Sequence, residues 1–146
     1  MTGNPFRPPE AEVADAGPGL GPMPRGVRLA CTLVLLSLVV GAVTLLPGVR
    51  PEPPGAEPVP FLFTLAVLLV FGGLTVWLVK VVERGRNWGR WALLAYLALG
   101  WWLGIDQITE DFALSPLVGF VDMGCIVVEM VAAVLLFWGA AGRWFR

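Results

Sequence analysis

The sequence predicts an all-α integral membrane protein: four transmembrane helices in an antiparallel bundle, behind a proline- and glycine-rich amino-terminal tail. Three observations carry that reading. Of the 146 residues, 57% are hydrophobic and only 14% charged, and the mean hydropathy is +0.77, which is more apolar surface than a soluble core of this size can hide. The charges gather in a few places and leave long runs with none, as in chains whose solvent is lipid. Lysine and arginine concentrate in alternate connections, the pattern of a chain that crosses the bilayer repeatedly.

Residues 1–27 read as a disordered cytoplasmic tail. Pro5, Pro8, Pro9, Pro18, Pro22 and Pro24 alternate with glycines and with Glu10, Glu12 and Asp15, and no apolar period runs through them, so the segment has too little to bury to offset the entropy of ordering. Residues 28–146 form the transmembrane domain. The first helix is expected over about 29–46, because Leu29 to Leu46 carries no charge and Pro47-Gly48 stops it. A cleaved signal peptide is disfavoured, since the apolar run is too long, follows a long tail and lacks a small-x-small cleavage site. The second helix is expected over 61–81, with a charge-free run from Phe61 to Val79 and Lys80 placed to lay its stem along lipid. The third, over 88–105, is short. Its apolar run Trp91–Ile105 makes only about 22 Å of helix at 1.5 Å per residue, so either it starts near Asn87, the expected N-cap, with Arg90 snorkelling to the interface, or it thins the bilayer locally. Asp106 to Asp111 reads as an acidic loop. Ser115-Pro116 is a helix-start pair, serine at the N-cap and proline first in the helix, and opens a fourth helix over 116–139 that carries Asp122 and Glu129.

With four crossings, Arg7, Arg25, Arg28, Lys80, Arg84, Arg86, Arg90, Arg143 and Arg146 all fall on one side, and Arg50 stands alone on the other. The positive-inside rule makes the first side the cytoplasm, with both termini there. Trp77, Trp88, Trp91, Trp138 and Trp144 border the inner interface, and Phe61, Phe63, Trp101, Trp102 and Phe112 the outer one.

The chain has no histidine, which removes the commonest ligand of catalytic zinc, copper and haem. CxxC, HExxH, Walker and GxSxG motifs are missing too, and Asp106, Glu110 and Asp111 are too scattered to make a metal site. No catalytic residue, metal or cofactor is expected. The net charge of −1 speaks against nucleic acid as a partner. Cys31 and Cys125 fall at different depths, too far apart to bridge, and read as small apolar residues.

Two constellations remain inside the membrane. Small residues mark the seams where helix backbones approach closely: Ser37 and Gly41, Gly72 and Gly73, and the GxxxG pair Gly100 and Gly104. Packing within the bundle is the favoured reading and a homodimer seam the alternative. Asp122 and Glu129, seven residues apart, share one helix face with Ser115, Gly119, Cys125, Ala132 and Ala133. An acid at the bilayer centre costs about 2.5–3.5 kcal/mol on insertion scales and therefore faces the interior. Counted from the cytoplasmic end at 1.5 Å per residue, Glu129 is about 15 Å deep and Tyr96 about 12 Å, so a Tyr96–Glu129 hydrogen bond is the expected pairing. No basic residue within the spans lies at a depth to pair with either acid. Interhelical bonding that fixes the bundle is the first reading of these acids; a proton or ion path, or a polar ligand pocket, is the second.

Between the second and third spans, the run Arg84-Gly85-Arg86-Asn87-Trp88-Gly89-Arg90 resembles a pattern of small, uncharacterised four-helix bacterial inner-membrane proteins, and the ending Trp144-Phe145-Arg146 is similar to theirs. The likeness covers the helix layout from about residue 29 onward and implies no particular activity. Arg84, Arg86, Asn87, Trp88, Arg90, Arg143, Trp144 and Arg146 would together form a cytoplasmic interface with the bilayer and its anionic headgroups. Arg86-Asn87 would also cap the third helix and bind the carboxyl end of the fourth. The expected function is a structural or accessory component that binds lipid, another inner-membrane protein or a second copy of itself. The alternative is a small transporter or proton-conducting element using Glu129 and Asp122, and an enzyme ranks last.

Overall fold

The computed structural model describes residues 21–46, 48–50 and 60–145. Residues 1–20, Pro47, the segment 51–59 and Arg146 lie outside the described residues, and with them most of the expected disordered tail, the Arg7 charge and the arginine of the Trp-Phe-Arg ending. The described residues form helices α1 (Arg25–Thr44), α2 (Phe61–Glu83), α3 (Asn87–Leu114), α4 (Pro116–Phe137) and α5 (Ala140–Trp144), with no strand among them. The first four are long and apolar enough to cross a bilayer. The chain is therefore an all-α, multi-pass membrane protein, as its sequence predicts. Helix α1 packs on α2 and α4, and α3 packs on the same two, while among the described residues the backbones of the diagonal pairs, α1 with α3 and α2 with α4, do not approach closely. The four spans thus close into an antiparallel ring. The start of α1, the α2–α3 turn and α5 share one end, the termini end; the α3–α4 corner and Arg50 mark the opposite, loop end.

Local chemistry explains where the helices stop. Helix α1 begins at Arg25, four residues earlier than the charge-free run alone indicates, because the Pro24 carbonyl already accepts the amides of Val27 and Arg28. Val27 and Ala30 are fully buried, so the end of the supposed tail belongs to the core. At the far end of α2 the Gly85 amide donates to the Val82 carbonyl at 2.9 Å and the Arg86 amide to that of Val81 at 3.4 Å. This is a Schellman close, and it needs the left-handed φ of +70° that Gly85 adopts. Residue Arg86, in extended backbone, is the N-cap of α3; Asn87 is already helical and its side chain caps nothing.

The largest departure is α3. Asp106 to Asp111 is helical, not a loop. Acidic composition is no helix breaker, and nothing from Ile105 onward interrupts the backbone until Pro116, which drives Ser115 to φ −153° and ψ 107°. The helix has 28 residues, about 42 Å at 1.5 Å per residue. It overshoots a hydrocarbon layer of about 30 Å, so Asp106 and Glu110 sit exposed on its projecting end. Pro116 stands first in α4 after the Ser115 N-cap, as expected, although the serine hydroxyl makes no capping bond. Helix α4 ends at Phe137 and does not continue to 139, because Trp138 turns extended and Gly139 takes φ +63°.

The core occupies the termini half of the ring. Val27, Cys31 and Val34 of α1 meet Leu78, Val79 and Val82 of α2, Leu93 and Leu97 of α3, and Leu136 of α4, with Phe145 closing the end. Arg90 does not snorkel outward; its guanidinium lies 5.1 Å from the Phe137 ring and 5.3 Å from that of Phe145, a cation–π arrangement. Trp144 Nε1 donates to the Gly21 carbonyl at 3.1 Å. Arg84, Arg86, Asn87, Trp88 and Arg143 are exposed at this end.

The close helix approaches are made by glycines other than the expected ones. A Cβ on Gly89 would sit 2.7 Å from Val81 Cγ1, and one on Gly119 would sit 2.6 Å from the Phe112 ring. At Gly41, Gly73, Gly100 and Gly104 it would meet nothing within 4 Å, and at Gly72 only the Leu38 side chain at 3.7 Å. Gly89→Ala and Gly119→Ala are therefore expected to destabilise the bundle by about 1–3 kcal/mol through overpacking. Gly100→Ala and Gly104→Ala should be neutral or up to about 1 kcal/mol stabilising, through helix propensity. Thermal melts of the four variants in detergent, followed by tryptophan fluorescence, check the contrast.

Candidate functional site

Above the core, in the loop half, the ring opens around a cavity of about 370 Å³. All four spanning helices line it, and so does Arg50 from the connection after α1. Ser37, Thr75, Tyr96, Trp101, Asp122 and Glu129 line it. Asp122 and Glu129 reach it from one face of α4, as the seven-residue spacing predicts, and Cys125 lies between them.

Glu129 is held by two neutral donors. The Ser37 hydroxyl donates to Oε1 at 2.6 Å, and Trp101 Nε1 donates to Oε2 at 2.8 Å. The carboxyl thereby ties α4 to both α1 and α3. Tyr96 is not its partner. The Tyr96 hydroxyl donates to the Phe71 carbonyl at 3.1 Å and lies 3.1 Å from Thr75 Oγ1, while the Thr75 hydroxyl donates to the same carbonyl at 2.8 Å. Tyr96 faces α2, whereas Trp101, five residues on, faces α4.

Nearer the loop end, one Arg50 nitrogen lies 2.7 Å from Asp111 Oδ2 and 2.7 Å from Asp122 Oδ2. No basic residue of the spans pairs with Asp122, as expected among the described residues, but Arg50 reaches it from outside them. The cation comes from the connection after α1 and not from a span, which is why a search by depth within the helices misses it. The pair with Asp111 is well shielded, with the Asp111 side chain 4% and the Arg50 side chain 24% exposed. Sequence reasoning missed Arg50, Asp111 and Trp101 as site residues, and took Ser37 for a packing residue. One signal pointed to Arg50: it is the sole basic residue on an otherwise acidic side, and an isolated charge near a membrane span needs a partner.

The cavity thus holds Asp111, Asp122 and Glu129 against the single guanidinium of Arg50. Among the described residues no ion pair involves Glu129, and no three metal-ligating side chains converge. Both cysteines are free, Cys31 in the core and Cys125 on the cavity wall. Gly41, Gly72, Gly100 and Gly104 also line the space, so most of the supposed seam residues keep volume open instead of closing a seam. Toward the termini end the space stops at Val34 and Leu97, both buried.

Removing one partner of a shielded ion pair leaves the other charge stranded, at a cost of about 3–5 kcal/mol. Arg50→Gln is expected to lower the melting temperature in detergent well below that of the exposed-site control Asp106→Asn. Arg50→Gln combined with Asp111→Asn should lose less than the sum of the two single changes; strict additivity would show that the pair is not coupled. No protein family, curated protein or solved structure matches the chain.

Proposed function

We propose that this chain is a small accessory protein of a bacterial inner membrane, with both termini cytoplasmic, that holds a lipid-like or membrane-protein ligand in the cavity of its loop half. The orientation is supported by charge. Arg25, Arg28, Lys80, Arg84, Arg86, Arg90 and Arg143 belong to the termini end, whereas the loop end pairs its one described basic residue, Arg50, with carboxylates. The resemblance of the Arg84–Arg90 run to small inner-membrane proteins supports the choice of membrane. On this reading the cavity occupies the periplasmic half.

One observation favours holding over conduction: the cavity ends blind. Val34 and Leu97 close it, and beneath them Val79, Leu93 and Leu136 are packed to 1% exposure or less. A conducting path needs polar groups or water on both sides of Glu129, and the termini half offers a core of apolar side chains instead. The runner-up, a proton-conducting element, draws on the convergence of Glu129 and Asp122 on one space.

Purified protein in liposomes carrying a pH-sensitive dye is expected to pass no more protons under a membrane potential than protein-free liposomes do, and Glu129→Gln should not change that. A flux abolished by Glu129→Gln would replace holding with conduction. For topology, Arg143→Cys and Asp106→Cys in a Cys31→Ala, Cys125→Ala background are to be treated with a membrane-impermeant maleimide on intact cells. Cys at position 106 is expected to be labelled and at position 143 protected; the reverse would invert the orientation.

A further inference from the structure

We infer that the cavity takes a hydrophobic cation, with its positive head between Glu129 and the Arg50–Asp111–Asp122 cluster and its apolar arm passing out between α2 and α3. The inference rests on the reading of the cavity as a ligand seat and names the class of ligand.

Three features of the cavity point to this class. The first is charge: three carboxylates face one guanidinium, and Glu129 receives only neutral donors. In a medium of low dielectric such an excess attracts a cation and repels an anion strongly. Arg50 already illustrates the preference, since the cation that the site accepts from its own chain sits between two of these acids at 2.7 Å from each. Glu129 stands a heptad further in, about 10.5 Å along α4 from Asp122 at 1.5 Å per residue, beyond the carboxylates that Arg50 engages.

The second feature is the lateral opening. Among the large apolar residues that line the cavity, those more than half exposed are Phe71 at 54%, Leu99 at 57% and Leu103 at 69%. All belong to α2 or α3, so the wall is open toward lipid between these helices and closed along the α1–α4 seam. The Tyr96–Phe71 hydrogen bond ties α2 to α3 at 3.1 Å just beneath that opening. Above it, Gly100 and Gly104 present no side chain, and a Cβ on either would meet nothing within 4 Å. The third feature is size: about 370 Å³ falls in the range of small-molecule pockets, about 300–1,000 Å³. An amphiphile entering from the bilayer would keep its chain in hydrocarbon while its head reaches the acids.

The full chain in nanodiscs of zwitterionic phosphatidylcholine provides the test, with equal amounts of empty nanodiscs subtracted for partitioning. Octyltrimethylammonium is the probe; octylsulfonate and octanol are the chain-matched anionic and neutral controls. Calorimetry should show saturable binding of the ammonium, at least tenfold tighter than either control. Glu129→Gln should weaken it at least tenfold. Gly104→Leu, which fills open space without touching the acids, should weaken it too and keep the native melt. If Glu129→Gln fails to fold, the controls and Gly104→Leu still decide. Octylsulfonate or octanol binding as tightly as the ammonium, in a manner sensitive to Gly104→Leu, would overturn the cation preference and leave the ligand seat standing. Ammonium binding unchanged in a folded Glu129→Gln variant would overturn the placement of the head. Absence of any binding sensitive to Gly104→Leu would overturn both the inference and the ligand-holding reading beneath it.

Discussion

At mid-height of the bundle a single carboxyl joins three helices, Glu129 of α4 accepting one hydrogen bond from Ser37 of α1 and another from Trp101 of α3. A group of this polarity in hydrocarbon must find partners or force the helix to rotate it inward. Once Glu129 points to the axis, the rest of α4 follows by heptad arithmetic. Val118, Asp122, Cys125, Ala132 and Leu136 repeat with it at alternating four- and three-residue steps. Val118, Ala132 and Leu136 are buried, and Asp122 and Cys125 line the cavity. The opposite positions, Leu117, Phe120, Val127, Met130 and Val134, are exposed and meet lipid. The α1–α4 seam, the most extensive in the ring, is thus polar in its loop half and apolar in its termini half.

This division separates a packed half from an open one. Side chains in the termini half interlock around Leu93 and Leu136, close under Phe145, and are covered by Arg90 beneath aromatic rings. Such packing tolerates little change, since interiors are as dense as organic crystals. In the loop half the same helices stand around open volume, and away from the Phe112–Gly119 packing at the α3–α4 corner they are joined by directional bonds: Glu129 to its two donors, Arg50 to its two acids, Tyr96 to Phe71. Directional bonds between helices hold a shape without filling it, which is what a cavity in a bilayer requires.

Helix number and the inward face of α4 were legible in the sequence because both follow from one-dimensional quantities, the length of a charge-free run and the spacing of two acids. The α3 boundary was not, because the acids from Asp106 to Asp111 resemble a loop in composition, whereas the backbone responds only to the breaker at Pro116. The Tyr96 pairing failed for a geometric reason: depth along a helix is set by residue count, but azimuth depends on how neighbouring helices are turned. Trp101 and Tyr96 differ by five residues and hence by about 140° around α3 at 3.6 residues per turn. The small-residue stripe was legible as composition and misread in role. Gly100 and Gly104 form the pattern of a close seam, but nothing approaches them, and a missing side chain leaves space as readily as it admits a neighbour.

Arg50 shows how an exception to a topological rule becomes informative. In the orientation proposed above Arg50 stands on the far side, where a held cation opposes insertion, and a lone arginine there should weaken the orientation signal. Its charge is taken up instead by Asp111 and Asp122, which lie on either side of the Ser115-Pro116 corner. The same ion pairs join the end of α3 and the start of α4 to the connection leaving α1, at the height where the cavity opens. The residue that fits the charge pattern least well is therefore the one that closes the polar end of the site.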